Sequence, residues 1–405
     1  MSTKRKLLVA LAVFLLVFGG FFFWIWRGTP AKHTTDELSG HDPVLVEPKP
    51  EQIPSVAIAK PIGWEPGQTP VAAKGLTVTR FAEGLDHPRV IYTLPNGDVL
   101  AAEADAPKGN MGSGIVGMVA QWLMKKAGAN QGSPDTLILL RDSNADGKAD
   151  QKYTLRTGNG LVSPSGLAWR DDVLYVANHD MVQAFPYKLG ETALNSTPSK
   201  VMDLPGGGNH WMRNILLSQD GKQLYVAVGS ATNIAEKGME LEKGRAAIWQ
   251  KTFAAKGYPR QYANGLRNPN GLAWNPATGE LWVTVNERDQ LGPDLVPDYL
   301  TNVPIGSHYG WPWVWWIPMT MIASWPSRPT ILMITSASPN SPWARTPRRW
   351  GWCSSPEVSG WVRSFPAVPS LLATDRGTAP HLRAMTWSMW RSTSSAIRWA
   401  SQYRC

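Results

Sequence analysis

One stretch of the chain combines residue types that can move a proton and hold an anion. It runs from Gly206 to Asn233 and begins with GGGNHWMR, so a glycine-rich loop carries His210 and Arg213 into two predicted strands. Imidazole exchanges protons near neutral pH, and guanidinium binds carboxylates through paired hydrogen bonds. The stretch therefore predicts a general base at His210. A solvated loop histidine without a catalytic role is the alternative that the loop alone leaves open.

Short strands must position this loop. From about residue 76 the chain alternates β-branched and apolar runs with Gly, Asn and Asp, which is typical of all-β folds. Four segments repeat a strand, a polar turn and a second strand: residues 87–104, 163–180, 211–230 and 268–287. Such recurrence predicts the blades of a β-propeller, because a β-sandwich, the alternative, gives no reason for the motif to recur.

The spacing of the repeats indicates where extra structure is inserted. The equivalent leucines are 74, 50 and 57 residues apart: Leu100, Leu174, Leu224 and Leu281. The longer first interval predicts additional elements between residues 105 and 135, including a short helix around GMVAQWLMKK.

The loops beside the repeat strands carry further candidates. Arg267 and Asn268 precede the last repeat, NERDQLGPD (286–294) follows it, and HYGWPWVWW (308–316) comes next. The 286–294 loop contains three carboxylates that suit a hard cation such as calcium: Glu287, Asp289 and Asp294. A histidine base, an anion-binding arginine and a bound cation would together suit oxidation of an alcohol or aldehyde by an acidic cofactor. Ordinary ion pairs and turn caps are the alternative for each residue taken singly.

A second acidic turn, RDSNADGKAD, covers residues 141–150. Its oxygen ligands alternate as in loops that wrap calcium, with Gly147 at the bend, but the twelfth position falls on Tyr153 instead of a glutamate. A metal-free turn in which the side chains cap their own backbone remains an equal alternative.

Three motifs carry a family resemblance: GGGNHWMRN, LRNPNGLAWNP and VNERD…GPDLVPDYL…YGWP. Over roughly residues 76–313 the chain resembles the sorbosone dehydrogenase family, which is related to soluble quinoprotein glucose dehydrogenases. The resemblance implies a six-bladed β-propeller that binds pyrroloquinoline quinone (PQQ) with calcium and oxidises a sugar-type aldehyde or alcohol, such as sorbosone or an aldose. It implies that His210 is the general base and that Arg267 and Asn268 hold the cofactor. Arg213 is a further cofactor-binding candidate. The carboxylates of the 286–294 loop are the calcium candidates, although that loop departs from the Gly-Pro arrangement of the glucose enzymes.

The amino terminus predicts a membrane anchor. Lys4, Arg5 and Lys6 precede a run from Leu7 to Trp26 without any charge, and about 20 apolar residues span a bilayer. The run is longer than a usual signal-peptide core, so we expect a signal anchor, with a cleaved signal as the alternative. The basic residues before the run predict a single pass through the inner membrane with the main domain in the periplasm.

The last 89 residues differ in composition from the rest. Residues 317–405 hold ten arginines against two carboxylates, which is +8 of the chain's net charge of +9, together with 15 serines, ten prolines, eight tryptophans and both cysteines. The remainder is near neutral, which argues against a nucleic-acid groove. We interpret this tail as a shifted reading frame that replaces the last blades and would leave this product inactive. A basic extension that binds the membrane surface is the alternative.

The predicted organisation has four parts: an anchor at 1–27, a tether at 28–75, a propeller dehydrogenase at 76–316 and an atypical tail at 317–405. The expected partners are a sugar-type substrate, an electron acceptor and the membrane, and no nucleic acid. A propeller that only binds a ligand or a protein is the main alternative function, and a calcium-assisted lactone hydrolase is another.

Overall fold

The computed structural model describes residues 2–26, 28–38, 44, 46–50, 61–65, 67–107, 114–129, 132–254 and 257–313. The predicted tail, residues 317–405, therefore lies outside the described residues, as does Cys353 with Cys405. Within these ranges the chain forms one long amino-terminal helix, two shorter helices and fifteen strands.

The amino-terminal helix α1 spans Thr3–Trp26. Its segment Thr3–Ile25 has a mean hydropathy of 2.7 and none of its best window is buried by the rest of the protein. Among the described residues it is the one helix long and apolar enough to cross a membrane, and a signal sequence would satisfy the same criteria. A four-residue helix, α2, follows at Thr35–Leu38.

The fifteen strands form four antiparallel sheets, in each of which every strand pairs with the next in sequence. Sheet 1 contains β1 (Pro88–Thr93), β2 (Val99–Glu103), β3 (Thr136–Arg141) and β4 (Gln151–Thr157). Sheet 2 contains β5 (Gly166–Arg170), β6 (Val173–Ala177), β7 (Met181–Pro186) and β8 (Ser199–Asp203). Sheet 3 contains β9 (Ile215–Leu217), β10 (Gln223–Val228), β11 (Ala247–Thr252) and β12 (Arg260–Asn264). Sheet 4 contains β13 (Asn268–Trp274), β14 (Leu281–Asn286) and β15 (Tyr299–Asn302).

Each predicted repeat corresponds to the first two strands of one sheet, so the strand-turn-strand prediction is confirmed. The turn between β5 and β6 shows why polar residues recur there. Asp171 and Asp172 have φ values of 50° and 59°, and two successive positive φ values form the hairpin turn whose twist matches the paired strands. The equivalent leucines, Leu100, Leu174, Leu224 and Leu281, are at most 2% exposed. Truncation of such a leucine to alanine typically costs about 2–5 kcal/mol.

The sheets pack face to face in chain order. One apolar cluster joins sheets 1 and 2 through residues such as Leu137 and Phe185, and a second joins sheets 2 and 3 through Met202 and Val226. A third cluster joins sheets 3 and 4. This all-β architecture is propeller-like, and four blades lie within the described residues. The sandwich alternative is wrong there because the strands form four separate sheets instead of two facing ones.

The insertion in sheet 1 contains a helix, as predicted. Helix α3 spans Gly114–Lys126 between β2 and β3. A single turn of 3₁₀ helix, η1, lies at Met239–Glu242 between β10 and β11.

One edge of the sheets gathers the loops that matter for function. The start of each first strand pairs with the end of the second strand, as in Pro88 with Glu103, Gly166 with Ala177, and Asn268 with Asn286. The loops that enter β5, β9 and β13 therefore open at the same edge as those that leave β2, β6, β10 and β14. We call it the upper edge.

Candidate functional site

His210 lies in the loop that enters β9 and is held by the loop that leaves β10. Its Nδ1 lies 2.8 Å from the carbonyl oxygen of Ser230 and 3.0 Å from the Ser230 hydroxyl. A carbonyl only accepts hydrogen bonds, so Nδ1 carries the proton and Nε2 keeps its lone pair. The imidazole thus has the tautomer that a general base at Nε2 requires.

Arg213 fastens the loop that carries His210. Its side chain is fully buried, and its guanidinium donates to the carbonyl oxygens of Pro205 at 2.7 Å, His210 at 2.7 Å and Met212 at 2.9 Å. Its backbone N–H donates to the hydroxyl of Ser165 at 2.8 Å, which ties the loop to β5. Arg213 therefore joins both ends of the 205–213 loop. Cofactor binding by this residue stays a prediction.

We expect Arg213→Met to lower the free energy of unfolding by about 2–4 kcal/mol, because it leaves buried carbonyl groups without donors. Urea denaturation measures this change. Arg170→Met is the control, since the Arg170 side chain is 38% exposed and should contribute less than about 1 kcal/mol. Equal stability of the two variants would contradict the role of Arg213 in holding the loop.

Gly229 brings the two predicted site loops together. A side chain at this position would overlap the amide oxygen of Asn268 and would lie 2.6 Å from Cβ of His210. The neighbouring Ser230 N–H donates to the carbonyl oxygen of Arg267 at 2.7 Å. His210 and Asn268 therefore lie on either side of one glycine.

Arg267 connects three loops at the upper edge. It is 3% exposed, and its guanidinium donates to the carbonyl of Asn233 at 3.1 Å, to the Asn233 amide oxygen at 2.8 Å and to the carboxylate of Asp289 at 2.9 Å. It also donates to the carbonyl groups of Asn286, at 3.3 Å, and Glu287. In this structure its donors bind protein, and contact with a cofactor stays a prediction.

The three carboxylates predicted to bind calcium point to different partners. Glu287 accepts from the backbone of Arg288 at 3.0 Å, and Asp289 binds Arg267. Asp294 accepts from the backbone of Lys32 at 2.8 Å and of His33 at 3.1 Å. In the part of the chain that the structure describes, no three His, Cys, Asp or Glu side chains are grouped closely enough to hold a metal ion.

The 141–150 loop joins β3 to β4, and its side chains cap their own backbone. Asp142 accepts from the N–H groups of Asp146 at 3.2 Å and Gly147 at 2.7 Å, and Asp146 accepts from that of Lys148 at 2.8 Å. Asp150 accepts from the backbone of Ser143 at 3.0 Å. These contacts are those of the metal-free turn, which is one of the two alternatives that the sequence leaves open.

Comparison with known families gives one match. Residues 129–301 match the model of the TrAA12-like family. This TrAA12-like segment contains every residue predicted for the site, and it excludes β1, β2 and α3. No curated protein matches the chain.

Several solved structures share this similarity at low identity. An iodide structure of a Trichoderma reesei protein of carbohydrate-active enzyme family AA12 is 21% identical, with a TM-score of 0.47 and 60% of each chain covered. The holo PQQ domain of Coprinopsis cinerea pyranose dehydrogenase is 18% identical, with a TM-score of 0.45, over 61% of this chain and 60% of that one. PQQ-bound aldose sugar dehydrogenase from Streptomyces coelicolor is 20% identical, with a TM-score of 0.39, over 59% and 66%. The chain thus spans about three fifths of the first of these structures.

The TrAA12-like segment also contains supporting residues that no motif indicated. Glu242, in η1, is 4% exposed and accepts from the N–H groups of Ala231, at 2.7 Å, and Thr232, at 3.0 Å. The Ser230 hydroxyl donates to the carbonyl of Thr232 at 2.6 Å. Glu242 therefore shapes the backbone that binds His210. Nothing in the local sequence distinguishes it from Glu240, because its role depends on folding of the 231–246 loop over β10.

Burial and nearby cations keep His210 neutral. Burial lowers the pKa of His210 from 6.5 to about 3, and the guanidinium groups of Arg267, Arg213 and Arg245 lower it further, against the hydrogen bond to Ser230. Between pH 6.5 and about 3, His210 is therefore protonated in the unfolded chain and neutral in the folded chain. Stability decreases as the pH falls through this range and is unaffected by His210 above it.

We expect an anionic ligand bound beside His210 to raise its pKa by about one pH unit or more, because the ligand's charge offsets the three guanidinium groups. NMR titration of labelled histidine, with and without PQQ as the anion, measures the change. Lys200→Gln is the control, since this exposed lysine on β8 should leave both values unchanged. An unaltered His210 pKa under saturating ligand would mean that the ligand binds elsewhere.

Proposed function

We propose that this chain is a quinoprotein dehydrogenase that oxidises a sugar-type alcohol or aldehyde, of the sorbosone or aldose kind, with His210 as general base. The observation that carries the proposal is the unprotonated Nε2 of a partly buried, neutral His210 next to Asn268 in a TrAA12-like segment. Two proteins of similar structure, a pyranose dehydrogenase with a PQQ domain and a PQQ-bound aldose sugar dehydrogenase, support the same class of reaction.

His210 would act on the substrate hydroxyl. Its Nε2 takes the hydroxyl proton while the adjacent carbon loses a hydride, so the substrate loses two electrons and two hydrogens. When bound, PQQ supplies the acceptor for that hydride. Ser230 holds the ring through Nδ1 during the reaction. The imidazolium is disfavoured beside Arg213 and Arg267, so it passes its proton on to water.

The surroundings of His210 fit an anionic cofactor. Arg213, Arg245 and Arg267 are all at most 7% exposed, and the Nε of Arg213 and one terminal nitrogen of Arg245 are buried without a hydrogen-bond acceptor. Burial lowers the pKa of Arg213 to about 9, with Arg245 adding to the effect. A carboxylate-bearing cofactor would relieve this excess of positive charge. Arg267 and Asn268 are the residues proposed to hold it.

Calcium fits the described residues less well than PQQ. The side chains of Glu287, Asp289 and Asp294 do not converge, so we derive no step through a metal ion. Calcium enters the proposal as a component that the assay must include.

The proposal also covers the cellular location of the protein and the number of blades in the complete propeller. We propose that α1 anchors the chain in the inner membrane with the sheets in the periplasm, and that the complete ring has six blades. The blades beyond β15 and a shifted frame in residues 317–405 lie outside the described residues. Translation of the other two frames after codon 316 tests this part, and it fails if neither frame encodes further strands.

Reconstitution tests the function. The full chain, and a second chain in which codons after 316 are read in the frame that encodes strands, are purified and incubated with PQQ and calcium. Dye reduction is then followed with sorbosone and with aldoses. We expect cofactor-dependent turnover in the second chain and little in the first. PQQ binding without turnover in either chain would favour a ligand-binding propeller, and hydrolysis of a lactone without any electron acceptor would indicate a hydrolase.

A further inference from the structure

The chain that leaves α1 returns at once to the upper edge of sheet 4. The backbone N–H groups of Lys32 and His33 donate to the carboxylate of Asp294, in the loop between β14 and β15. Helix α1 ends at Trp26. An extended chain covers at most about 3.6 Å per residue, so the carboxyl end of α1 lies within roughly 20–25 Å of Asp294.

The same segment contacts the upper edge at two further places. The N–H of Lys49 donates to the carbonyl oxygen of Leu291 at 3.0 Å, again in the loop between β14 and β15. Pro61 packs against Gly128, just after α3, where a side chain on the glycine would meet the proline ring at 2.9 Å. Lys32, His33 and Lys49 therefore contact the upper edge at sheet 4, and Pro61 contacts the chain just after α3 in the insertion of sheet 1.

Helix α3 lies at this edge, because the insertion leaves β2 and enters β3 where Glu103 pairs with Thr136. Its two flanks are tied together by Asp105, whose carboxylate accepts from the N–H of Gly132 at 2.9 Å. Asp105 follows the end of β2, and Gly132 precedes β3. The helix is thus attached to the sheet at both ends.

Helix α3 presents apolar and basic side chains outward. Four of its large apolar residues are 44–63% exposed: Met118, Val119, Trp122 and Met124. Met118, Trp122 and Lys126 are spaced by four residues and share one side of the helix, and the ammonium of Lys126 lies 5.0 Å from the centre of the Trp122 ring. Lys125 and Lys126 form the last turn. An apolar stripe with tryptophan and lysines at its end is typical of helices that lie in the headgroup region of a bilayer.

We propose that the upper edge faces the surface of an anionic bilayer, with α3 lying in the headgroup region of the same membrane that α1 crosses. The candidate site at His210 then opens toward the membrane. Charge favours this occupant, since the two lysines complement anionic lipids. The contact of Lys32 and His33 with Asp294, so soon after the end of α1 at Trp26, keeps this edge near the bilayer. The proposal rests on the part of the proposed function in which α1 anchors the chain in the membrane. It does not depend on the proposed oxidation reaction.

Hydrogen–deuterium exchange of the full chain in lipid nanodiscs tests the proposal. Discs contain either equal parts of phosphatidylglycerol and phosphatidylcholine or phosphatidylcholine alone, and the readout is the exchange rate of amides 114–126. Each lysine near an anionic surface strengthens binding about fivefold, so the pair contributes roughly 30-fold. We expect exchange at least about fivefold slower in the anionic discs.

Two double variants separate the causes. Lys125→Gln/Lys126→Gln should abolish the difference between the discs. Lys148→Gln/Lys222→Gln, whose exposed lysines lie in the turns between β3 and β4 and between β9 and β10 at the opposite edge, should preserve it. Equal exchange in both kinds of disc, or a difference that survives the first variant, would overturn the proposal. If the chain co-elutes with both kinds of disc but exchange is equal in the two, only the role of α3 is rejected. If the chain does not co-elute with the discs, the anchoring role of α1 is rejected as well.

Discussion

Replacement of His210 by alanine is expected to lower turnover by about 10²–10⁴-fold while the cofactor still binds. General-base catalysis contributes this much when the base is removed without disturbing substrate and cofactor positions. His210 satisfies the requirement because its ring is held through Nδ1 by Ser230, and Arg213 holds the loop backbone independently of the imidazole. Steady-state dye reduction by the chain with restored blades gives kcat, and equilibrium titration gives the affinity for PQQ.

A second histidine provides the control for this variant. His308 accepts a hydrogen bond from the N–H of Gly310 at 3.0 Å through Nδ1. An asparagine can offer a similar acceptor, so His308→Asn should retain turnover within a few-fold. If His210→Ala and His308→Asn had the same kcat as the unmodified chain, His210 would not be the base. A loss of PQQ affinity in His210→Ala that matched the loss of turnover would instead assign His210 to cofactor binding.

Replacement of Arg267 by alanine is expected to lower the free energy of unfolding by about 3 kcal/mol or more. The guanidinium is 3% exposed and donates to the carbonyl groups of Asn233, Asn286 and Glu287. The Asn233 carbonyl keeps the indole N–H of Trp311 as a donor at 3.1 Å, so the loss falls on the carbonyl groups of Asn286 and Glu287. Each buried carbonyl left without a donor costs about 1–3 kcal/mol. Because the same guanidinium lowers the pKa of His210, the variant should also raise that pKa. Urea denaturation and NMR titration measure the two effects.

Asp289→Asn is the matched control for Arg267. The Asp289 side chain is 76% exposed while that of Arg267 is 4% exposed, so solvent screens their ion pair. We expect a loss below about 1 kcal/mol. If the Asp289 and Arg267 variants were equally destabilised, the ion pair would be the stabilising element and the backbone carbonyl groups would contribute little. Arg267→Lys should recover only part of the stability, since one ammonium cannot reach all these acceptors.

Several features of the fold could be predicted because they depend on local sequence. The recurring strand pairs and the inserted helix α3 follow from alternating apolar residues, polar turns and helical composition. Such patterns act over a few residues, so Leu100, Leu174, Leu224 and Leu281 identify the second strand of each sheet without any tertiary information. The number of blades is different, since it depends on how far the sheets continue around the axis.

The candidate site was only partly predictable. His210, Arg267 and Asn268 could be selected because loops at strand ends carry functional groups. The structure brings His210 and Asn268 together across Gly229, and the sequence alone does not show this proximity. The calcium candidates were selected by residue type, and calcium binding by them stays a prediction. The structure adds that Asp294 accepts hydrogen bonds from the chain that follows α1.

The sequence by itself determined the secondary structure of the repeats, the apolar helix α1 and the residue types available for proton transfer. Only the tertiary structure decided which polar atoms remain free. It pairs Nδ1 of His210 with Ser230, lets Glu242 accept from the N–H of Ala231, and directs the terminal nitrogens of Arg213 to backbone carbonyl groups. The physical reason is that hydrogen bonds and burial join residues distant in the chain, whereas strand and helix patterns depend on neighbours.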